Sequence, residues 1–260
     1  VEALGQARII AVDKTGTITK NELVIREVWT AGKLFNIGGI GYEPTGNIKF
    51  ENTVIDAVNH PELLAISKAV ALCASSRLVF SEIEKRWYIT GDPTEGAMVV
   101  FARKIGFNKE GLLNESPALF EIPFDYKLKY RVVVNSIENK NTLTVVGAPE
   151  TIIELSKNII GPEGICEISV KDKKELEKIL TDMSLQGERV VAVATYDNVE
   201  NPVNPQSVSN LTFIGFLGMK DVLRPEVKDA MDRAQEAGIK VVMITGDHKI
   251  TAMAIAREAD

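Results

Sequence analysis

Strand-length apolar runs dominate this chain, and helical spacing is confined to a few stretches. Arg8 to Val12 is a run rich in β-branched residues that stops at Asp13-Lys14-Thr15-Gly16-Thr17, whose small polar residues and glycine signal a turn. A strand therefore delivers Asp13 at its carboxyl end. Leu23 to Phe50 is strand-like but rich in glycine, which predicts irregular hairpins. His60-Pro61 opens a helix that runs to about Ser75, with Leu63, Leu64, Ala69, Val70 and Cys73 on its apolar face and Pro61 in its first turn. After a strand from Leu78 to Ile89, Asp92 is placed to cap a second helix. Pro93 then begins that helix, Glu95 can close a capping box, and Gly106 ends it. Strands at Ala118 to Phe124, Arg131 to Ser136 and Thr142 to Val146 lead to a short helix from Pro149. Lys171 to Leu185 carries Leu176, Ile179, Leu180 and Met183 at helical spacing, and Val190 to Tyr196 is a buried strand.

The pattern then changes. Asn198 to Asn210 is rich in proline, serine and asparagine and reads as a connector. Beyond it come a strand at Leu211 to Met219, a helix at Pro225 to Ala237 closed by Gly238, a strand at Lys240 to Ile244 and a helix from His248. That βαβα order predicts a parallel sheet. Val241 to Ile244 delivers Thr245-Gly246-Asp247 much as Ile9 to Val12 delivers Asp13, and ligands of open α/β sheets bind beyond the carboxyl ends of strands. The two ends of the chain are therefore expected to share one sheet. Residues 1–22 and 199–260, the latter including the connector, form that domain, and residues 23–198 form a second domain inserted into it.

Composition narrows the function. With 260 residues, 45% hydrophobic and 25% charged, the chain is an ordinary globular protein. Its formal charge of −6 and the lack of any basic run argue against nucleic acid as a partner. Cys73 and Cys166 stand far apart without a metal-binding spacing and read as buried small hydrophobes. No apolar run approaches the roughly 18 residues of a membrane span. The chain starts without methionine and stops inside a helical pattern, so it is expected to be part of something longer.

An aspartate presented at a strand end can attack a phosphoryl group to give an acyl phosphate. Asp13 is the candidate nucleophile, and Lys14, the hydroxyls of Thr15, Thr17 and Thr245 and the amide of Gly246 supply the positioning and charge neutralisation that phosphoryl transfer needs. A magnesium ion would take oxygens from Asp13 and Thr15, with waters completing its shell. Taken alone, the same turn is better explained as an aspartate ending a strand.

Asp13-Lys14-Thr15-Gly16-Thr17-Ile18-Thr19 resembles the phosphorylation motif of the P-type ATPases, ion pumps that pass the γ-phosphate of ATP through an aspartyl phosphate. Val1-Glu2-Ala3-Leu4-Gly5 is similar to the approach to that motif, and Thr245-Gly246-Asp247 to the second phosphate-binding motif. Asp221-Val222-Leu223-Arg224 resembles the Asp-Pro-Pro-Arg hinge, with both prolines replaced. In the insert, Gly91-Asp92-Pro93-Thr94-Glu95-Gly96-Ala97 resembles the segment whose glutamate reaches the adenine amino group, which nominates Glu95 beside its capping-box role. Pro123-Phe124-Asp125-Tyr126-Lys127-Leu128-Lys129 looks like the adenine-stacking segment, with Phe124 on the base and Lys129 near the base or phosphates. Gly147-Ala148-Pro149-Glu150 resembles Lys-Gly-Ala-Pro-Glu, but Val146 stands in the lysine's place. That implies weaker nucleotide binding or a compensating role for Lys129 and Arg189; Gly147 still lets the backbone approach the base. Arg189, in Gly187-Glu188-Arg189-Val190-Val191-Ala192, is similar to the arginine that reaches the phosphates.

The resemblance implies a haloacid dehalogenase-like parallel-sheet phosphorylation domain, incomplete at its C-terminus, with an inserted α+β nucleotide-binding domain built on an antiparallel sheet. It implies catalytic roles for Asp13, Lys14, Thr15, Thr245, Gly246 and Asp247, with magnesium held by Asp13 and Thr15. Nucleotide contacts fall to Glu95, Phe124, Lys129, Gly147, Arg189, Asp221 and Arg224. ATP is the implied substrate and calcium the favoured transported cation. Membrane and actuator domains of the full-length chain are the implied partners, with this region on the cytoplasmic side. Thr15 stands where the wider superfamily has a second aspartate as general acid and base, which prolongs the acyl phosphate and favours a pump. The family's Gly-Asp-Gly-x-Asn-Asp segment does not occur, so the fragment itself is expected to phosphorylate weakly or not at all. Domain closure is expected to hinge near Thr19 to Leu23 and Asn198 to Asn210. An aspartate-nucleophile phosphatase with a large cap domain and a non-catalytic nucleotide-binding module are the alternatives.

Overall fold

The computed structural model describes residues 7–199, 203–204, 208–246 and 249–259; the expectations placed on residues 1–5, Asp247 and His248 lie outside them. Most of the described chain is built on one 11-stranded sheet. Its first half is a set of hairpins, β2 (Thr19–Thr30), β3 (Lys33–Ile37), β4 (Ile48–Phe50) and β5 (Thr53–Ile55). Its second half is β8 (Ala118–Asp125), β9 (Tyr130–Ile137), β10 (Lys140–Gly147) and β13 (Arg189–Asp197), antiparallel throughout. β14 (Leu211–Leu223) joins the halves, pairing antiparallel with β2 and β13. Beside β14 lies β11 (Ser156–Gly161) in parallel register, followed by β12 (Gly164–Glu167).

Side-chain alternation along these strands sorts two cores. Val133, Val146 and Val193 face α1 (Pro61–Cys73) and α2 (Pro93–Ile105), where Leu63, Ile66, Met98 and Phe101 meet them. Val132, Val145, Ala192 and Phe216 face the opposite way, toward Ile152 of α4 (Pro149–Leu155) and Leu176 and Met183 of α5 (Val170–Leu185). The helix boundaries follow local chemistry. Pro61 and Pro93 occupy first-turn positions, and Gly106 ends α2 at φ 110, a left-handed conformation that suits glycine. His60 makes no capping hydrogen bond; its ring packs edge-on against Phe35 instead.

Several expectations are corrected. Leu78 to Ile89 is not one strand but a hairpin of β6 (Arg77–Ser81) and β7 (Arg86–Thr90), because Lys85 turns the chain at φ 52. α3 (Lys109–Glu115), started by an Asn108 cap, was not apparent from periodicity in so short a segment. Cys73 is buried as expected, but Cys166 lies exposed on the edge hairpin. The largest change concerns β14. It was expected to begin the parallel unit, yet it sits in the middle of the antiparallel sheet, since an apolar run buried on both faces fits either kind of sheet equally well.

The parallel unit is correspondingly small. β1 (Ile9–Asp13) and β15 (Lys240–Ile244) form a two-stranded parallel pair. α6 (Val227–Glu236) and α7 (Lys249–Ala259) accompany it, with Val227, Ile255 and Ala259 clustered around Ile18. The chain passes between this pair and the large sheet at Thr19 and near Leu223, which are register partners. β13 and β14, the strands on either side of Asn198 to Asn210, both belong to the large sheet.

Candidate functional site

Asp13 pairs with Ile244, so the turn after β1 and Thr245-Gly246 leave the parallel pair at the same edge. Thr15 (φ −76, ψ 120) and Gly16 (φ 79, ψ −10) have the central geometry of a type II turn, and the positive φ is the reason glycine stands there. Asp13, Thr15 and Thr17 are exposed, whereas Lys14 is buried with its Nζ 3.9 Å from the Asp221 carboxylate. Asp221 also accepts from the Thr19 hydroxyl (2.6 Å) and the Glu22 amide (3.1 Å). Arg224 donates from Nη2 to the Gly16 carbonyl at 2.8 Å and from its amide to Ile18 at 3.0 Å. Asp221 and Arg224 thus clasp the two chain crossings together.

A cavity of about 380 Å³ opens between the start of α2 and strands β8, β9, β10 and β13. Its walls include Glu95, Phe124, Arg131, Val146, Gly147 and Arg189. Asp92 caps α2 by accepting from the Thr94 and Glu95 amides at 2.8 and 3.1 Å. Glu95 does not complete a capping box. Its Oε2 accepts from the Ser75 amide and hydroxyl (both 2.6 Å) and the Ser76 amide (3.3 Å), and its Oε1 accepts from the Arg131 guanidinium. Burial opposes ionisation of Glu95, but the Ser75 hydrogen bonds and the charge of Arg131 outweigh it and hold its pKa below the ordinary value. Phe124 is 46% exposed, with Tyr126 set edge-on at 5.4 Å, so it presents a ring to the cavity instead of filling the core. A Cβ at Gly147 would lie 2.3 Å from the Lys129 carbonyl, so the close approach of β10 to β9 itself demands glycine. A partly apolar wall with an exposed aromatic ring and a few fixed polar groups suits a heteroaromatic ring.

A second cavity, of about 470 Å³, is lined by Lys14, Thr15, Asn21, Asp221 and Thr251, and Arg189 lines both cavities. The family model for the P-type ATPase cytoplasmic domain N matches residues 62–226. The chain belongs to the P-type ATPases. It is 39% identical to the calcium-transporting ATPase of Bacillus subtilis, 34% identical to the cation-transporting ATPase pma1 of Synechocystis, and 32% identical to the sodium/potassium exporting P-type ATPase cta3 of Schizosaccharomyces pombe. Each similarity covers 99% of this chain but only 29%, 29% and 27% of the respective relative. The chain thus spans less than a third of the length of these pumps and carries their cytoplasmic nucleotide-binding domain.

Among the residues nominated by resemblance to P-type ATPases, Glu95, Phe124, Gly147 and Arg189 come together around the first cavity, and Lys14, Thr15 and Asp221 around the second. Lys129 does not line the first cavity. The Asp125 carboxylate accepts from the Lys127 and Leu128 amides, and the resulting turn leaves Lys129 exposed at φ 61. Arg224 serves the clasp and lines neither cavity. Asp247 lies outside the described residues. Sequence reasoning passed over Arg131, which lines the cavity directly opposite Val146 in the β9–β10 register. The available signal was an arginine within Tyr130-Arg131-Val132-Val133-Val134, on the same strand face as buried Val133.

Proposed function

We propose that this chain is the nucleotide-binding and phosphorylation region of a calcium-transporting P-type ATPase, in which adenine stacks on Phe124 and the γ-phosphate of ATP is transferred to Asp13. The observation that carries this reading is the pair of cavities shared by Arg189, one beside an exposed aromatic ring and the other beside the turn that follows Asp13. Their common wall offers a cation to a polyphosphate running from the first to the second.

In the transfer, a carboxylate oxygen of Asp13 attacks the γ-phosphorus, the bond to the β–γ bridging oxygen breaks, and ADP leaves with that electron pair. Water later cleaves the acyl phosphate and restores the carboxylate. Lys14, Thr245 and Gly246, with Asp247 beyond them, orient the phosphoryl oxygens and offset their charge. Thr15 supplies no second carboxylate to activate water, so the acyl phosphate persists long enough to be coupled to movement. The Asp13 carboxylate and Thr15 carbonyl are hard oxygen donors that would suit a magnesium ion that keeps several waters. When bound there, it would neutralise charge on the phosphoryl oxygens.

β1, β15, α6 and α7 are read as part of a haloacid dehalogenase-like phosphorylation domain, with its boundary at Thr19 and Leu223 instead of at residues 22 and 199. Membrane and actuator domains of a longer chain complete the pump, with this region on the cytoplasmic side. The Bacillus subtilis relative, a calcium-transporting ATPase, supports calcium as the cargo. No described helix is long and apolar enough to cross a membrane. The test is calcium-dependent, acid-stable labelling of the full-length protein by γ-labelled ATP and magnesium. Label on the wild type that disappears in Asp13→Asn is expected; label that survives the substitution contradicts the assignment.

A further inference from the structure

A third cavity, of about 630 Å³, shares no wall residue with the two described above and lies between the large sheet and α7. Its walls carry three carboxylates, Glu27 of β2, Glu188 just before β13 and Glu258 of α7. Glu27 and Glu188 are 8% and 5% exposed. Oε2 of Glu27 and both carboxylate oxygens of Glu188 are buried and have no hydrogen-bond partner. Gly218 brings the two side chains together. It is the cross-strand partner of Glu27, and a Cβ on it would overlap Glu188 Oε2. The Glu188 carboxyl therefore lies over Gly218, beside Glu27. Two ionised carboxylates so placed repel each other and lose their hydration, whereas one proton held between them relieves both costs. Their oxygens are sealed from solvent, so the group that completes them is a proton and not a ligand. Gly187, next to Glu188, is packed so tightly on α7 that a Cβ there would overlap that of Ala254.

We propose that Glu188 and Glu27 hold one proton between them as a latch that seats α7 on the large sheet, and that losing this proton to solvent releases α7 with the parallel pair. The charged groups facing Glu188 are Glu27 and Arg26 from β2, Lys49 from β4, Lys220 from β14 and Glu258 from α7. The end of α5 adds the uncharged Gln186 and Met183. Burial and then the charge of Glu27 push the Glu188 carboxyl up to about 8, against Lys220 and Arg26. Burial also raises Glu27, against the charge of Lys220 and a hydrogen bond from Gln186. The latch therefore holds below the folded-state value of Glu188 and fails as pH climbs through it. Ionised Glu188 repels Glu258 and must be hydrated, and both effects lift α7 from the sheet. β1 ends at Asp13, so release moves the proposed nucleophile relative to the nucleotide cavity.

The test is a spin-label distance between exposed Cys166 and Arg257→Cys on exposed α7, with buried Cys73 left unlabelled. The chain is measured at about pH 6 and about pH 9, with Glu188 intact, as Glu188→Gln and as Glu258→Gln. One distance is expected in every protein at the acidic end. At the alkaline end, a second, longer distance is expected in about half or more of the molecules that keep Glu188 and Glu258. Glu188→Gln is expected to keep the single short distance. Glu258→Gln, at an exposed position, is expected to reduce the longer population by about half or more, which keeps the test open should Glu188→Gln fail to fold. A distance that ignores pH, an alkaline change that persists in Glu188→Gln, or a longer population unaffected by Glu258→Gln would overturn the proposal. So would loss of the whole circular dichroism spectrum at the alkaline end, since the pair would then hold the entire fold and not α7.

Discussion

Replacing Glu188 by glutamine is expected to stabilise the protein, with a gain that grows as pH rises. Glu188 begins the approach to β13, is 5% exposed, and has no hydrogen-bond partner on either carboxylate oxygen. Gly218 must be glycine to accommodate it, since a Cβ there would fall 1.8 Å from Oε2. Burial and then the charge of Glu27 push the Glu188 pKa from 4.5 to about 8, against the opposing charges of Lys220 and Arg26. A carboxyl whose folded-state pKa is raised contributes stability that is complete below its unfolded value and is lost as pH climbs through its folded value. The window here runs from 4.5 to about 8. At about pH 7.5 the folded state pays for keeping the proton, by about 4 kcal/mol at roughly 1.4 kcal/mol per pKa unit. Urea unfolding of wild type and Glu188→Gln at about pH 5 and about pH 8 measures this directly. Near-equal stability at the acidic end and a variant more stable by a few kcal/mol at the alkaline end are expected. A stability difference that does not change with pH would refute the reasoning.

Three further outcomes follow from packing and hydrogen bonding. Gly147→Ala forces a Cβ against the Lys129 carbonyl and is expected to cost about 1–3 kcal/mol, read as a lowered melting temperature; an unchanged melting curve would contradict the close approach of β9 and β10. Asp221→Ala removes the acceptor for Thr19 and Glu22, so hydrogen exchange at the Glu22 amide is expected to accelerate by about tenfold or more. Unchanged protection there would mean that the clasp does not hold the crossings. A thiol reagent at about pH 8 is expected to modify Cys166 quickly and Cys73 only after unfolding, because burial pushes the Cys73 thiol up to about 12; rapid reaction of both in the folded protein would contradict this.

Much of this architecture is legible where local chemistry acts alone. Pro61, Asp92, Pro93 and Gly106 announce the ends of α1 and α2 because caps and prolines work within one turn. The adjacency of Asp13 and Ile244 follows from two short β-branched runs that end in small polar residues. β14 was misplaced because its apolar run records burial on both faces but not the direction of its neighbours. At the site, Phe124 and Arg189, nominated by their motifs, line the first cavity, whereas Lys129 stands outside it. The backbone turn made by the Asp125 carboxylate decides where Lys129 stands, and motif matching does not see that turn. Arg131 and Glu188 were missed for a related reason. Arg131 borders the apolar run Val132–Val134 and Glu188 sits between Gly187 and Arg189, and only the packed structure shows that both are buried.

The central claim is that the cavity beside Phe124 binds the base of ATP. Calorimetric titration of the folded chain with ATP, wild type against Phe124→Ala, tests it most directly. The account predicts saturable binding to the wild type that weakens by about tenfold or more when the stacking ring is removed. Equal binding by both proteins would put the base elsewhere, and no binding by a folded wild type would contradict the claim outright.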